Sequence, residues 1–112
     1  MTQPATDLVT APAYVYARLT VQDFAPYIEK YAMPFQTVLA QFDGTVLSAT
    51  TDAEMLEGVS DGNWTVLLQF PSLAQAKAFY HSDDYAPLIK TRVEELKTSG
   101  HIMVLPGMPP AV

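Results

Sequence analysis

The chain has 112 residues, 49% of them apolar and 16% charged, which fits one packed domain rather than a disordered segment. Its formal net charge is -6, and its six Lys and Arg (Arg18, Lys30, Lys77, Lys90, Arg92, Lys97) are scattered. No basic patch is offered to a phosphate backbone, so nucleic acid is not an expected partner. Without Cys there is no disulfide, thiolate nucleophile or Cys-based zinc site, and without an apolar run of about 18 residues no membrane span is expected.

Residues 1–12 contain Thr, Gln, Asp and two Pro and read as a flexible N-terminal arm. They lack the basic start and apolar centre of a signal peptide, so a cytoplasmic setting is the expectation. A strand follows over residues 13–20, with Tyr14, Tyr16 and Arg18 alternating against Val15, Ala17 and Leu19. One of its faces is aliphatic and the other aromatic and polar.

Asp23 is placed to cap a helix, and Pro26 falls in the first turn, where its missing N–H costs little. The helix is predicted to run to about Phe42. Phe24, Tyr27, Ile28, Tyr31, Phe35, Val38 and Leu39 give it a broad apolar stripe. Pro34 cannot donate to the carbonyl of Lys30 and is expected to kink or split this helix. Asp43-Gly44 ends it, with Gly44 as the expected left-handed cap.

Residues 45–50 read as a second strand, 51–63 as a polar loop, and 64–70 as a third strand with apolar residues on both faces. Ser72 caps a second helix to about Ser82. Asp83 or Asp84 is expected to cap a further helix to about Lys97, ended by Gly100, and residues 101–105 form the last strand. Residues 108–112 are a tail, kept extended by Pro109 and Pro110.

The order strand, helix, strand, strand, helix, strand predicts an α+β, ferredoxin-like βαββαβ domain over residues 13–107. Its four-stranded antiparallel sheet would carry helices on one face. The two-sided third strand argues against a bare second face, so a homodimer pressing two such faces together is expected, a dimeric α+β barrel.

With these elements in place, the chain resembles the domain of unknown function 1330 family, within the dimeric alpha-beta-barrel superfamily. The matching residues are Ala13-Tyr14, Asp23, Tyr27, Tyr31, Gly44, Leu47, Glu57-Gly58, the run Phe70-Pro71-Ser72 with Ala76, Tyr80, Ser82 and Tyr85, and then Arg92 and Gly107. The family usually has a Gly pair at Asp43-Gly44, an Arg near Ser48-Ala49-Thr50 and a Glu at Gln69. The resemblance implies the dimeric fold. Superfamily relatives include cofactor-free monooxygenases, isomerases, haem proteins and regulatory ligand-binding domains, so the fold decides no reaction.

Such a fold has its natural cavity between helices and sheet. Tyr14, Tyr16 and Arg18 would line it if they face the helices, and pack at a core edge otherwise. Tyr31, Tyr80 and Arg92 are further ligand-binding candidates, the Arg92 fork suiting a carboxylate from a ligand or from Glu57. His81 caps a helix end. His101 is the best single candidate for proton transfer if it faces the cavity, and a strand-rim residue if it does not. The acidic loop residues Asp52, Glu54, Glu57 and Asp61 lack the spacing of a calcium loop, and no metal site or cofactor is expected. Two function classes follow: a domain that binds a small organic molecule in an aromatic-lined cavity, or a cofactor-independent enzyme, monooxygenase- or isomerase-like, on a small aromatic or lactone-like substrate. A structural or interaction module without a ligand is the third.

Overall fold

Strand β1 (Ala13–Thr20) alternates buried and half-buried residues along its whole length in the computed structural model, which describes residues 11–108. Ala13, Val15, Ala17 and Leu19 are the buried set, so the aliphatic side of the strand meets the helices and the Tyr14, Tyr16, Arg18 side turns away from them. The other strands are β2 (Thr45–Thr50), β3 (Trp64–Phe70) and β4 (Ser99–Pro106). They assemble in the order β2-β3-β1-β4 with every neighbouring pair antiparallel. This is the ferredoxin-like arrangement, in which a hairpin strand is inserted between the two strands of a β-α-β unit.

Helix α1 opens at Phe24–Tyr27, widens into a π turn over Ile28–Ala32, and continues as Met33–Gln41. Asp23 caps it as expected, its carboxylate accepting from the Ala25 amide at 3.2 Å. The anticipated disturbance at Pro34 takes the form of that π turn. The Met33 amide donates to Ile28, five residues back, so the irregularity falls one turn ahead of the proline that could not have continued the regular ladder. The helix ends differently from expectation. Asp43, not Gly44, takes the left-handed conformation (φ 60). Gly44 is needed for space instead, because a Cβ there would lie 2.3 Å from Leu39 Cδ1 and 2.8 Å from Phe70 Cε1.

Helix α2 (Leu73–Tyr80) starts at Ser72, whose hydroxyl accepts from the Gln75 amide at 3.1 Å. Helix α3 (Ala86–Lys90) passes into a second π turn over Thr91–Glu95. The turn between them is organised by Ser82 rather than by Asp83 or Asp84. Its hydroxyl donates to the Phe79 carbonyl at 2.8 Å and accepts from the Tyr85 amide at 3.1 Å. At the far end Lys97 is the left-handed residue (φ 55), and Gly100 already belongs to β4. Gly100 is there because a Cβ would meet the Arg18 carbonyl oxygen of the adjoining strand at 2.1 Å.

The core lies between the sheet and the three helices. Phe70 and Phe79 are its most enclosed large side chains, with ring centroids 5.3 Å apart. Phe79 in turn stacks on Tyr85 at 4.5 Å and meets Phe35 edge-on at 5.7 Å. Each such ring contributes about 1.5–3 kcal/mol by leaving water. The rings come mainly from the helices, and the small Ala13, Val15 and Ala17 of β1 make room for them. Of the expected N-terminal arm only Ala11 and Pro12 are described, and of the expected tail only Met108. The Gly107 amide donates to the Pro12 carbonyl at 2.8 Å and closes the β1–β4 ladder.

Candidate functional site

A cavity of about 90 Å³ lies between helices and sheet. Its floor is the sheet, with Ala17, Val66 and Leu68 among the residues beneath it; Tyr27, Tyr31 and Phe35 form the α1 wall. Trp64, Tyr80 and Tyr85 complete it from β3, the end of α2 and the turn before α3. The lining is apolar apart from the tyrosine hydroxyls, the Trp64 indole and Gln36.

Helical spacing explains the α1 wall. Tyr27, Tyr31 and Phe35 recur every four residues, and the π turn holds Tyr31 between its neighbours, at 5.1 Å from the Tyr27 ring and 5.5 Å from the Phe35 ring. Trp64 closes the β3 end, edge-on to Phe24 at 5.6 Å and to Tyr27 at 6.5 Å.

The polar centre of the site is a buried group of three side chains. The Tyr31 and Tyr85 hydroxyls are hydrogen-bonded to each other. The Arg92 guanidinium, from the second π turn, stands over the Tyr31 ring at 5.8 Å. Arg92 is only 6% exposed, its Nε has no hydrogen-bond partner, and Thr98 Oγ1 in the following turn is likewise buried and unpaired. Burial pushes the Tyr27 phenol up to about 12, with the charge of Arg92 pulling partly the other way. Burial and the neighbouring Tyr85 hold Tyr31 well above the ordinary tyrosine range. Burial also raises Tyr85, and its bond with Tyr31 and the Arg92 charge offset part of that rise. For Arg92 burial disfavours the cation, but Tyr31 and Tyr85 outweigh it and the net shift is upward. At neutral pH the site therefore holds protonated phenols and one charged guanidinium.

The sequence candidates divide between two faces of the sheet. Tyr31 and Tyr80 line the cavity, and Arg92 adjoins Tyr31. The carboxylate suggested for Arg92, Glu57, stands exposed in the 51–63 loop, and the only ion pair among the described residues joins Lys30 of α1 to Glu95 of the second π turn. Tyr14, Tyr16 and Arg18 lie on the helix-free face, opposite the cavity, because strand alternation sends them there once Val15, Ala17 and Leu19 face the core. Arg18 fastens the 51–63 loop: its Nη1 donates to Thr65 Oγ1 at 2.6 Å, Nη2 to the Gly62 carbonyl at 3.0 Å, and Nε to the Asp61 carbonyl at 3.2 Å. His101 pairs with Arg18 across β4 and is exposed on that same face, a position that does not suit proton transfer inside the cavity. His81 takes the helix-end position expected of it, its amide donating to the Lys77 carbonyl.

Sequence reasoning places Tyr27 and Phe35 in the apolar stripe of α1 and Tyr85 in the family match, but it makes none of them, nor Trp64, a site residue. The i, i+4, i+8 spacing of Tyr27, Tyr31 and Phe35 is the signal that places two of them beside Tyr31. Among the described residues no three His, Asp or Glu side chains converge on a point, and no helix is long and apolar enough to cross a membrane.

Element order and sheet order define a ferredoxin-like α+β domain. The sequence profile of the family described as "Domain of unknown function (DUF1330)" matches residues 12–108, and the chain belongs to this family. Among solved structures it is similar to RPA0582, a protein of unknown function from Rhodopseudomonas palustris, with a TM-score of 0.65 at 13% identity over 98% of this chain and 96% of that one. The methylated form of RPA0582 gives a TM-score of 0.66 at 15% identity over 100% and 96%. A conserved protein from Methanosarcina mazei Go1 gives 0.53 at 10% identity over 92% and 98%. At such identities the likeness speaks for the fold alone. No curated protein matches the chain.

Proposed function

We propose that this domain binds a small, largely apolar organic molecule in the cavity between helices and sheet, and that it does so as a homodimer joined through the helix-free sheet faces. The observation that carries the binding reading is the chemistry of the lining: an apolar cavity in which tyrosines supply most of the polar groups, the usual make-up of a small-molecule site. The volume of about 90 Å³ sets a low limit on ligand size.

The dimer reading rests on the opposite face. Met103 and Leu105 of β4 are exposed there, and strand parity sets Tyr14, Tyr16 and Leu67 beside them. A contiguous apolar patch of this kind on a small domain calls for a partner surface.

Trp64 is the only tryptophan and lines the cavity, so its fluorescence and indole N–H resonance report directly on occupancy. Titration with a panel of small aromatic and branched aliphatic compounds is expected to shift both signals saturably. A panel that leaves Trp64 unmoved at millimolar concentration removes the binding reading. Light scattering tests the pairing independently. The native chain is expected at twice the monomer mass and Met103→Glu at the monomer mass. A native monomer at micromolar concentration removes the homodimer.

A further inference from the structure

We infer that the molecule taken into this cavity carries an oxyanion, a carboxylate or its equivalent, held by the Tyr31–Tyr85 hydroxyl pair with the charge of Arg92 behind it. The inference rests on the binding reading above and narrows it to a chemical class.

Three observations converge. The first is a buried charge without an acid partner. Arg92 is buried, its Nε is unpaired, and among the described residues no carboxylate stands within ion-pairing distance of it. A guanidinium removed from water normally finds an acid, since leaving the charge alone is costly. The Tyr31 ring at 5.8 Å and the Tyr31 and Tyr85 hydroxyls are what favour the cation there, and all of them are neutral groups.

The second is the proton count of the tyrosine pair. Two phenols carry two hydroxyl protons, and the bond between Tyr31 and Tyr85 uses one of them. The other is free to donate. Both residues line the cavity, whereas Arg92 adjoins Tyr31 from outside the lining, so the cation reaches an acceptor in the cavity through the tyrosines. A positive charge behind a donor strengthens the donor toward an anion more than toward a neutral oxygen.

The third is the backbone. Tyr31 sits in one π turn and Arg92 in the other, and the two turns pack against each other. A π turn is less stable than regular helix and occurs frequently at functional sites. Here two of them bring together the two residues the inference needs. Burial also keeps the phenols protonated, so they act as donors across the neutral range.

Paired acids and amides of nearly equal shape test the charge alone: isobutyrate against isobutyramide, and benzoate against benzamide, titrated into the native protein near neutral pH with Trp64 as the reporter. Each acid is expected to bind about tenfold more tightly than its amide, the usual advantage of a charge-assisted hydrogen bond. Arg92→Met is expected to bring that ratio to about one while amide binding persists, and Arg92→Lys to restore part of it. A merely structural Arg92 would lower acid and amide binding together. Tyr31→Phe supplies the same test without removing the cation, and is expected to reduce the ratio even if Arg92→Met does not fold. Equal binding of acid and amide overturns the oxyanion while leaving the cavity reading intact. Binding of neither overturns both.

Discussion

The hydroxyls of Tyr31 and Tyr85, 54 residues apart in the chain, meet in a hydrogen bond inside the core. The bond ties the π turn of α1 to the turn that precedes α3. Removing either hydroxyl leaves the other buried without its partner, so Tyr31→Phe and Tyr85→Phe are each expected to cost about 1–3 kcal/mol. Removing both leaves no orphan between them. The double variant should therefore lose clearly less than the sum of the singles in urea denaturation. Strict additivity would show that the two hydroxyls are stabilised separately.

The same residues set the alkaline limit of stability. Tyr27 has its pKa pushed up to about 12 by burial, and Tyr31 and Tyr85 are raised as well. An unfolded tyrosine ionises near 10, so above that pH the unfolded chain releases protons that the folded chain retains. Stability is then complete below about pH 10 and falls as pH rises from there through the folded values, by about 1.4 kcal/mol per pH unit for each group in its window. Urea midpoints between pH 9 and pH 12 are expected to decline steeply, and less steeply in Tyr27→Phe. An unchanged slope in that variant would mean that Tyr27 ionises in the folded state as readily as in the unfolded one.

Much of this architecture could be read from local pattern. The bounds of β2 and β3, the Asp23 and Ser72 caps and the apolar stripe of α1 follow from periodicity and capping chemistry, which act within a few residues. The π turns did not, because a widening by one residue has no side-chain signature of its own; Pro34 marked a disturbance but not its form. The face of β1 was undecided for a different reason. Alternation separates Tyr14, Tyr16 and Arg18 from Val15, Ala17 and Leu19 without saying which set is inside. The resolving fact is volume: Tyr27, Tyr31 and Phe35 of α1 need small residues beneath them, and β1 supplies these only on its aliphatic face. Arg92 was legible as a candidate, but its lack of an acid partner is a three-dimensional property.

Gly44 and Gly58 separate two reasons for a glycine. At Gly44 an added methyl would collide with Leu39 and Phe70, and the fully buried Phe70 ring has little room to retreat. Gly44→Ala is expected to cost about 1–3 kcal/mol through overpacking. Gly58 has a positive φ of 85 and nothing within 4 Å, so Gly58→Ala meets only backbone strain, about 1–2 kcal/mol at most in an exposed loop that can relax. Thermal denaturation of both should show the larger loss at Gly44. The reverse order would show that Leu39 and Phe70 yield to an added methyl more readily than the loop yields at Gly58.

Arg18 is expected to govern the 51–63 loop rather than a ligand. Its guanidinium spans Thr65 on β3 and the carbonyls of Asp61 and Gly62, while Asn63 clasps Val21 through both its amide oxygen and its amide nitrogen. The planar fork is what lets one side chain reach these partners together, and a lysine cannot reproduce it. Arg18→Ala and Arg18→Lys should both leave the Trp64 reporter of the cavity unchanged. Both should also speed hydrogen exchange at Asn63, whose amide donates to the Leu19 carbonyl at 2.8 Å. The expected acceleration is about tenfold, corresponding to the loss of one or two hydrogen bonds of roughly 1 kcal/mol. Exchange in β1 away from the loop should stay as it was. A Trp64 signal that moves in Arg18→Ala while Asn63 exchange does not would assign Arg18 to the cavity after all.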